Sequence, residues 1–332
     1  MGVLFLKDEG LAKFSDTAYI MKGLAILSVI FAHCVYDDPN IQRGSSIIGT
    51  IGVPVFLVLS AIFFDTKESS RSLIQKKLQR LILPWILWGT VTYIISCLSN
   101  NSPSIFGGIK WIFGNYTWLY FVPVLLICFI LCYICENTCK FATIFIVFAS
   151  IVTNALYILG VIDKGGLITA YQNPLNWYLF FWIGRIIRYN LSKILSVVNK
   201  LQFMKIVSIC LMVVLFSLYY YFVEEPGYWS VFSLLFELIS IIVVYLISTN
   251  FALRIFKNIG KRSYPIYFIH MQIGMFVGNK ILSIIPEINL FPILLVLLKP
   301  IMVLLISYYT IMGINKACNR LNLQFILKWF AI

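Results

Sequence analysis

A chain of 332 residues with 61% hydrophobic and 12% charged side chains, and a mean hydropathy of +0.91, has too little polar surface to fold as a water-soluble domain. Its net charge of +13, from 26 Lys and Arg against 13 Asp and Glu, reads as membrane orientation and attraction to anionic lipid rather than as nucleic-acid binding. The expected fold class is an all-α polytopic membrane protein, because the apolar segments are continuous runs rather than the alternating pattern of a barrel strand.

In chain order, the N-terminal segment carries Asp8 and Glu9 and lacks the basic, apolar, small-residue order of a cleavable signal peptide, so none is expected. Leu6 stands where a myristoylation signal needs Ser or Thr. The first span is placed at 18–36 and includes "YIMKGLAILSVIFAHC". Its apolar run is broken only by Lys22 and closed by His33, one of two histidines in the chain. Eleven positions separate them, about three turns and about 16 Å of helical rise, nearly on one face. Lys22 is expected near the cytoplasmic boundary, where it could snorkel, and His33 deep toward the far side, where an ionisable group suggests function.

Further spans are expected at 46–64, with Ser60, and at 80–98, entered through the basic stretch Lys76, Lys77 and Arg80. The next, at 116–135, begins at Trp118 and carries Cys128, Cys132 and Cys135, with Cys139 just beyond. These thiols share a face but spread over more than about 15 Å of rise, too far to close on one tetrahedral zinc, so no metal is expected. Spans at 141–159, 174–190 and 206–223 follow, then 229–248 with Glu237, 264–284 with Tyr267 and His270, and 291–312 with Lys299. Glu237 and Lys299 could pair with each other, or Glu237 could bind substrate. Trp111, Trp118 and Trp177 read first as interfacial belt and core, with sugar stacking as the other option. About ten spans with most basic residues on one side place both termini in the cytoplasm. No linker or repeat divides the chain, so 1–332 is read as one domain.

Five stretches taken together resemble acyltransferase family 3, the integral membrane O-acyltransferases of surface polysaccharides and related glycans. They are the Lys22 and His33 pair, "GVPVFLVLSAIFF" (Gly52 to Phe64), "KKLQRLILPWILW" (Lys76 to Trp88), "WLYF" (Trp118 to Phe121) and "SYPIYFIH" (Ser263 to His270). Lys22 stands where the family usually has arginine, Ala61 where it has glycine, and Lys77 and Arg80 where it has an arginine pair. The resemblance implies a single transmembrane acyltransferase domain in a bacterial inner membrane, with acetyl-CoA as donor and a glycan or lipid-linked sugar as acceptor. It implies His33 as general base and Lys22 as positive charge beside the donor. Lys76, Lys77, Arg80 and His270 would contact acetyl-CoA, and no metal cofactor is implied. Ser60 and Tyr267 are candidate oxyanion donors, or hydroxyls bonded to helix carbonyls. Direct transfer and an acetyl-histidine intermediate both fit. The alternative is a glycan exporter without acyl transfer, although no inverted repeat or paired broken helices are evident. A reporter fused after Ile332 is expected to read as cytoplasmic; a periplasmic signal would overturn the even-span topology.

Overall fold

The computed structural model describes residues 2–99, 103–115, 117–165, 169–200, 202–249, 251–284 and 292–330. Among these residues the chain is helical and has no strand. The α-helices are α1 (Gly2–His33), α2 (Pro39–Gly49), α3 (Gly52–Ile62), α4 (Ser70–Lys77), α5 (Leu83–Ser99), α6 (Ile105–Ile112), α7 (Phe121–Thr138) and α8 (Lys140–Ile158). They continue as α9 (Leu175–Tyr189), α10 (Leu191–Lys200), α11 (Gln202–Phe222), α12 (Val231–Ser248) and α13 (Ile255–Lys261). The last are α14 (Ser263–Ile269), α15 (Phe276–Ser283), α16 (Pro292–Arg320) and α17 (Gln324–Trp329). Two π-helical turns, Leu78–Ile82 and His270–Met275, join α4 to α5 and α14 to α15.

Among the described residues, 8 helical segments are long and apolar enough to cross a bilayer: Phe14–His33, Pro39–Ile62, Ser70–Leu98, Trp118–Thr138, Phe141–Ile158, Lys205–Phe222, Val231–Ser248 and Leu294–Arg320. The two other expected spans also form helix, with different character. Helix α9 has 15 residues, about 22 Å of rise against a roughly 30 Å hydrocarbon core. The run from α14 to α15 carries His270, Gln272, Asn279 and Lys280 and is broken by a π turn.

Helix starts follow short-range chemistry. Asp38 caps α2 by accepting from the backbone N–H groups of Asn40 and Ile41, with Pro39 occupying the first turn where its missing N–H costs nothing. Ser230 and Ser233 cap α12 reciprocally, each hydroxyl accepting from the other's backbone N–H.

The chain forms two compact units, each discontinuous in sequence. The first comprises Met1–Phe63, Phe180–Ser263 and Ile273–Ile306; the second comprises Phe64–Leu179, Tyr264–Gln272 and Ser307–Ile332. In the first unit α1 touches α13 backbone to backbone. A Cβ built on Gly260 would lie 1.7 Å from the Tyr19 carbonyl oxygen, and one on Gly23 would lie 2.4 Å from that of Phe256. Only glycine permits this approach, the close contact of small residues through which membrane helices associate without a hydrophobic driving force.

The same unit has a proline inside α16, Pro300. Proline cannot donate to the carbonyl four residues earlier, Val296, and water is absent in lipid. The Tyr36 hydroxyl donates to that carbonyl at 3.2 Å. At the break between α2 and α3, Ser28 similarly donates to the Ile48 carbonyl at 2.7 Å. In the second unit, Asn154 donates to the Asn176 carbonyl at 3.1 Å, and the Leu179 N–H donates to the Ser150 hydroxyl at 3.1 Å, tying α8 to the start of α9.

Tyr36→Phe is expected to lower stability by about 1–3 kcal/mol, read from thermal unfolding in detergent, because it leaves the half-buried Val296 carbonyl without its side-chain donor. In a Pro300→Ala background the backbone N–H at position 300 can serve Val296, and the same change is expected to cost clearly less.

Candidate functional site

The residues singled out in the sequence fall into two groups, one in each unit. Lys22, His33, Ser60 and Glu237 belong to the first. Lys22 lies eight residues, about 12 Å of rise, along the apolar helical segment that begins at Phe14. Its ammonium is 5.6 Å from the Tyr19 ring centroid and 5.8 Å from that of Phe63. Aromatic faces thus supply negative potential to a cation set in an apolar helix. Lys22 and His33 stand on one unbroken helix, so the expected rise between them holds.

His33 is half-buried and ends α1. The backbone on both sides of it is fixed. Ser45 donates to the Phe31 carbonyl at 2.8 Å, Lys299 donates to the Val35 carbonyl at 2.7 Å, and Tyr36 is held on α16. The Lys299 ammonium also lies 5.3 Å from the centroid of the Tyr36 ring. Lys299 therefore serves the segment after His33 instead of pairing with Glu237. Glu237 is buried in α12, and its Oε1 has no hydrogen-bond partner among the described residues. Ser60 is half-buried on α3.

Two arginines of α9 close the end of α3. Arg185, only 4% exposed, donates to the Ala61 carbonyl at 3.1 Å and to the Tyr189 hydroxyl at 3.1 Å. Arg188 donates to the Ile62 carbonyl at 2.7 Å. Helix C-terminal carbonyls carry partial negative charge and lack intrahelical donors, so guanidinium groups satisfy both their charge and their hydrogen bonding. The "SAIFF" end of the second-span motif is thus held from α9. The available signal was Arg185 standing within the expected span 174–190, where a charge calls for a partner.

The second group contains Lys76, Lys77, Arg80, Trp118, Tyr267 and His270. Lys76 pairs with Glu68, whose carboxyl this bond, with that from Ser72, holds below the usual range. The Lys77 ammonium sits 3.4 Å from the Phe129 ring centroid. Arg80 is exposed on the π turn Leu78–Ile82. Pro84 lies just beyond and cannot donate to the Arg80 carbonyl, so the α register cannot continue unaltered. Leu83 N–H reaches back five residues to Leu78, and the Tyr264 hydroxyl donates to the Leu81 carbonyl at 2.9 Å. Turns of this kind are frequent at functional sites.

Six residues after Tyr264 comes His270, wholly buried at the start of the second π turn. Its Nδ1 is 2.8 Å from the Tyr267 carbonyl, which can only accept. Nδ1 therefore carries the hydrogen, and in the neutral ring Nε2 carries the lone pair. The Tyr267 hydroxyl donates to the Trp118 carbonyl, which commits it to backbone rather than to a reacting oxygen. Trp118 is 8% exposed and meets His270 nearly edge to face, with ring centroids 6.1 Å apart. Trp177 is also buried, its indole donating to the Tyr171 carbonyl at 2.9 Å, while Trp111 is half-buried and donates to Thr92 at 3.1 Å.

Cys128, Cys132 and Cys135 are buried on α7, as helix-contact residues would be, and Cys139 is exposed. Among the described residues no three His, Cys, Asp or Glu side chains gather in a way that could hold a metal ion. A groove of about 660 Å³ runs along Tyr309, Met312, Gly313, Lys316 and Arg320 of α16 and includes none of the motif residues.

The family model described as an acyltransferase domain matches residues 19–312, nearly the whole chain. No curated protein and no solved structure shows significant similarity to it. Arg185→Met is expected to lower stability by about 1.5–3 kcal/mol in detergent unfolding by leaving the Ala61 carbonyl without its charged donor. Arg185→Lys should recover only part of that loss, because one ammonium does not reproduce the fork that spans Ala61 and Tyr189.

Proposed function

The chain belongs to acyltransferase family 3, a family of membrane acyltransferases, and from that premise we propose an O-acetyltransferase of the bacterial inner membrane. It moves acetyl from cytosolic acetyl-CoA to a hydroxyl of a cell-surface glycan or lipid-linked sugar precursor, and the whole chain, 1–332, works as one acyltransferase domain. The observation that carries this reading is the placement of Lys22 and His33 on the continuous helix α1, about 16 Å apart in rise. That is the reach of an extended pantetheine arm of about 15–20 Å, so a donor entering from the cytosol could bring its thioester to the far end of the helix.

In the proposed reaction the acceptor oxygen attacks the thioester carbonyl carbon while His33 takes the hydroxyl proton. The tetrahedral intermediate collapses with cleavage of the C–S bond, and the imidazolium returns its proton to the departing thiolate. His33 closes α1, where the negative end of the helix stabilises an imidazolium. Lys22 supplies positive charge along the donor's path. Arg80, with Lys76 and Lys77, meets the donor phosphates, and His270 contacts the donor arm. Ser60 is the remaining hydroxyl candidate for the oxyanion. Glu237, with one oxygen unpartnered among the described groups, suits an acceptor sugar hydroxyl.

The test is transfer of labelled acetyl from acetyl-CoA to glycan in membranes containing wild type or His33→Ala at equal abundance. A loss of about 10²–10⁴-fold is expected. Equal labelling by both would remove His33 from the chemistry. If the folded wild type failed to transfer to a verified acceptor, glycan export would become the better reading.

A further inference from the structure

The groove near the C-terminal end of α16 takes no part in the reaction described above. Its volume is about 660 Å³, and Tyr309, Met312, Gly313, Lys316 and Arg320 line it at the three- and four-residue steps that share one helix face. All five lie in the second unit and are exposed. The groove is a notch in a single helix, open to whatever surrounds the protein.

Gly313 makes the room. A Cβ built there would meet no atom within 4 Å, whereas at Gly23, Gly49 and Gly260 it would strike a neighbouring helix at 2.4 Å or less. Glycine inside a helix is destabilising, and close helix contact offsets that cost at the other three positions. At Gly313 no described neighbour does so.

The two ends of the notch differ in character. Lys316 and Arg320 stand one turn apart at one end, and no carboxylate lines the groove. The sequence has no Asp or Glu after Glu287, so the charged side chains of 288–332 are all basic. At the other end Tyr309 is 66% exposed beside exposed Met312, and the apolar face continues along α16 through exposed Ile301 and Leu305.

The length of the helix sets these ends at different depths. The apolar segment Leu294–Arg320 has 27 residues, about 40 Å of rise, close to the full width of a bilayer with its headgroup layers. The cations of its last turns therefore reach the phosphate layer, while Tyr309, seven residues before Lys316, lies about 10 Å deeper. A soluble anion would use only the cationic end. A peptide would have to carry its backbone into hydrocarbon without hydrogen bonds. An anionic phospholipid matches both ends at once, its phosphate facing the cations and its acyl chain facing the apolar half.

We propose that this groove seats one anionic phospholipid, with its phosphate at Lys316 and Arg320 and an acyl chain laid over Gly313 along Tyr309 and Met312. The site is independent of the acyl-transfer reading. No covalent step is assigned to it.

The test uses the full chain in neutral detergent, titrated with phosphatidylglycerol or phosphatidylcholine, with bound lipid and oligomeric state both read by native mass spectrometry. Wild type is expected to hold one more phosphatidylglycerol than Gly313→Leu, and to show no such difference with phosphatidylcholine. Leucine at 313 keeps both charges, fills the notch and favours the helix, so without lipid its thermal midpoint should stay the same or rise. Lys316→Gln with Arg320→Gln is expected to weaken that phosphatidylglycerol about 10–30-fold.

Equal retention of phosphatidylglycerol by all three proteins would overturn the site, leaving diffuse attraction to the basic surface. Weakening by the charge variant alone, with Gly313→Leu unaffected, would also overturn it, because the notch would hold nothing. Displacement of the lipid by soluble glycerol phosphate or acetyl-CoA at equal concentration would reassign the cations to a soluble phosphate. A lipid-free dimer of wild type that Gly313→Leu dissociates would replace the lipid with a second copy of the chain. Should the charge variant not fold, Gly313→Leu and the glycerol phosphate competition decide between these results.

Discussion

Backbone carbonyls that lose their helical donor inside an apolar protein must find another, because the surrounding lipid offers none. This constraint organises the interior. Tyr36 serves the carbonyl released by Pro300, Ser28 serves the break between α2 and α3, and Arg185 with Arg188 serves the end of α3. Tyr264 and Tyr267 add donors to Leu81 and Trp118. These irregular backbone positions are thereby coupled to side chains elsewhere in the chain. The polar residues scattered through the hydrophobic runs are the means by which broken helices remain compatible with a bilayer.

The same constraint explains why motif residues coincide with irregular backbone. Arg80 lies on one π turn and His270 opens the other. An uninterrupted helix would present its side chains on a regular spiral; a π turn shifts that spiral locally and redirects the groups that follow. His33 sits where α1 stops, with its flanking carbonyls occupied by Ser45 and Lys299. In both units the motif residues lie beside neighbours whose polar groups are committed to backbone carbonyls.

The helical class and the position of the first span were legible because continuous apolar runs have few physical solutions in lipid. The pairing of Lys22 with His33 along one helix was legible for the same reason, since helical rise converts sequence spacing directly into distance. The environment of Lys22 was less visible: its aromatic partner Phe63 lies far along the chain. The roles of Arg185 and Arg188 were hidden because the carbonyls they cap belong to residues more than a hundred positions away. The π turns were also invisible to periodicity. Pro84 announces a disturbance, but whether it becomes a kink, a break or a five-residue register depends on what surrounds it.

The glycine contact between α1 and α13 has a mechanical consequence. Where Gly23 and Gly260 bring two backbones together, no flexible side chain remains between them to absorb a shift. Sliding α1 by even one residue would drive a Cβ into the opposing main chain. The helix bearing Lys22 and His33 is therefore locked in register against α13, and the two can move only as one piece.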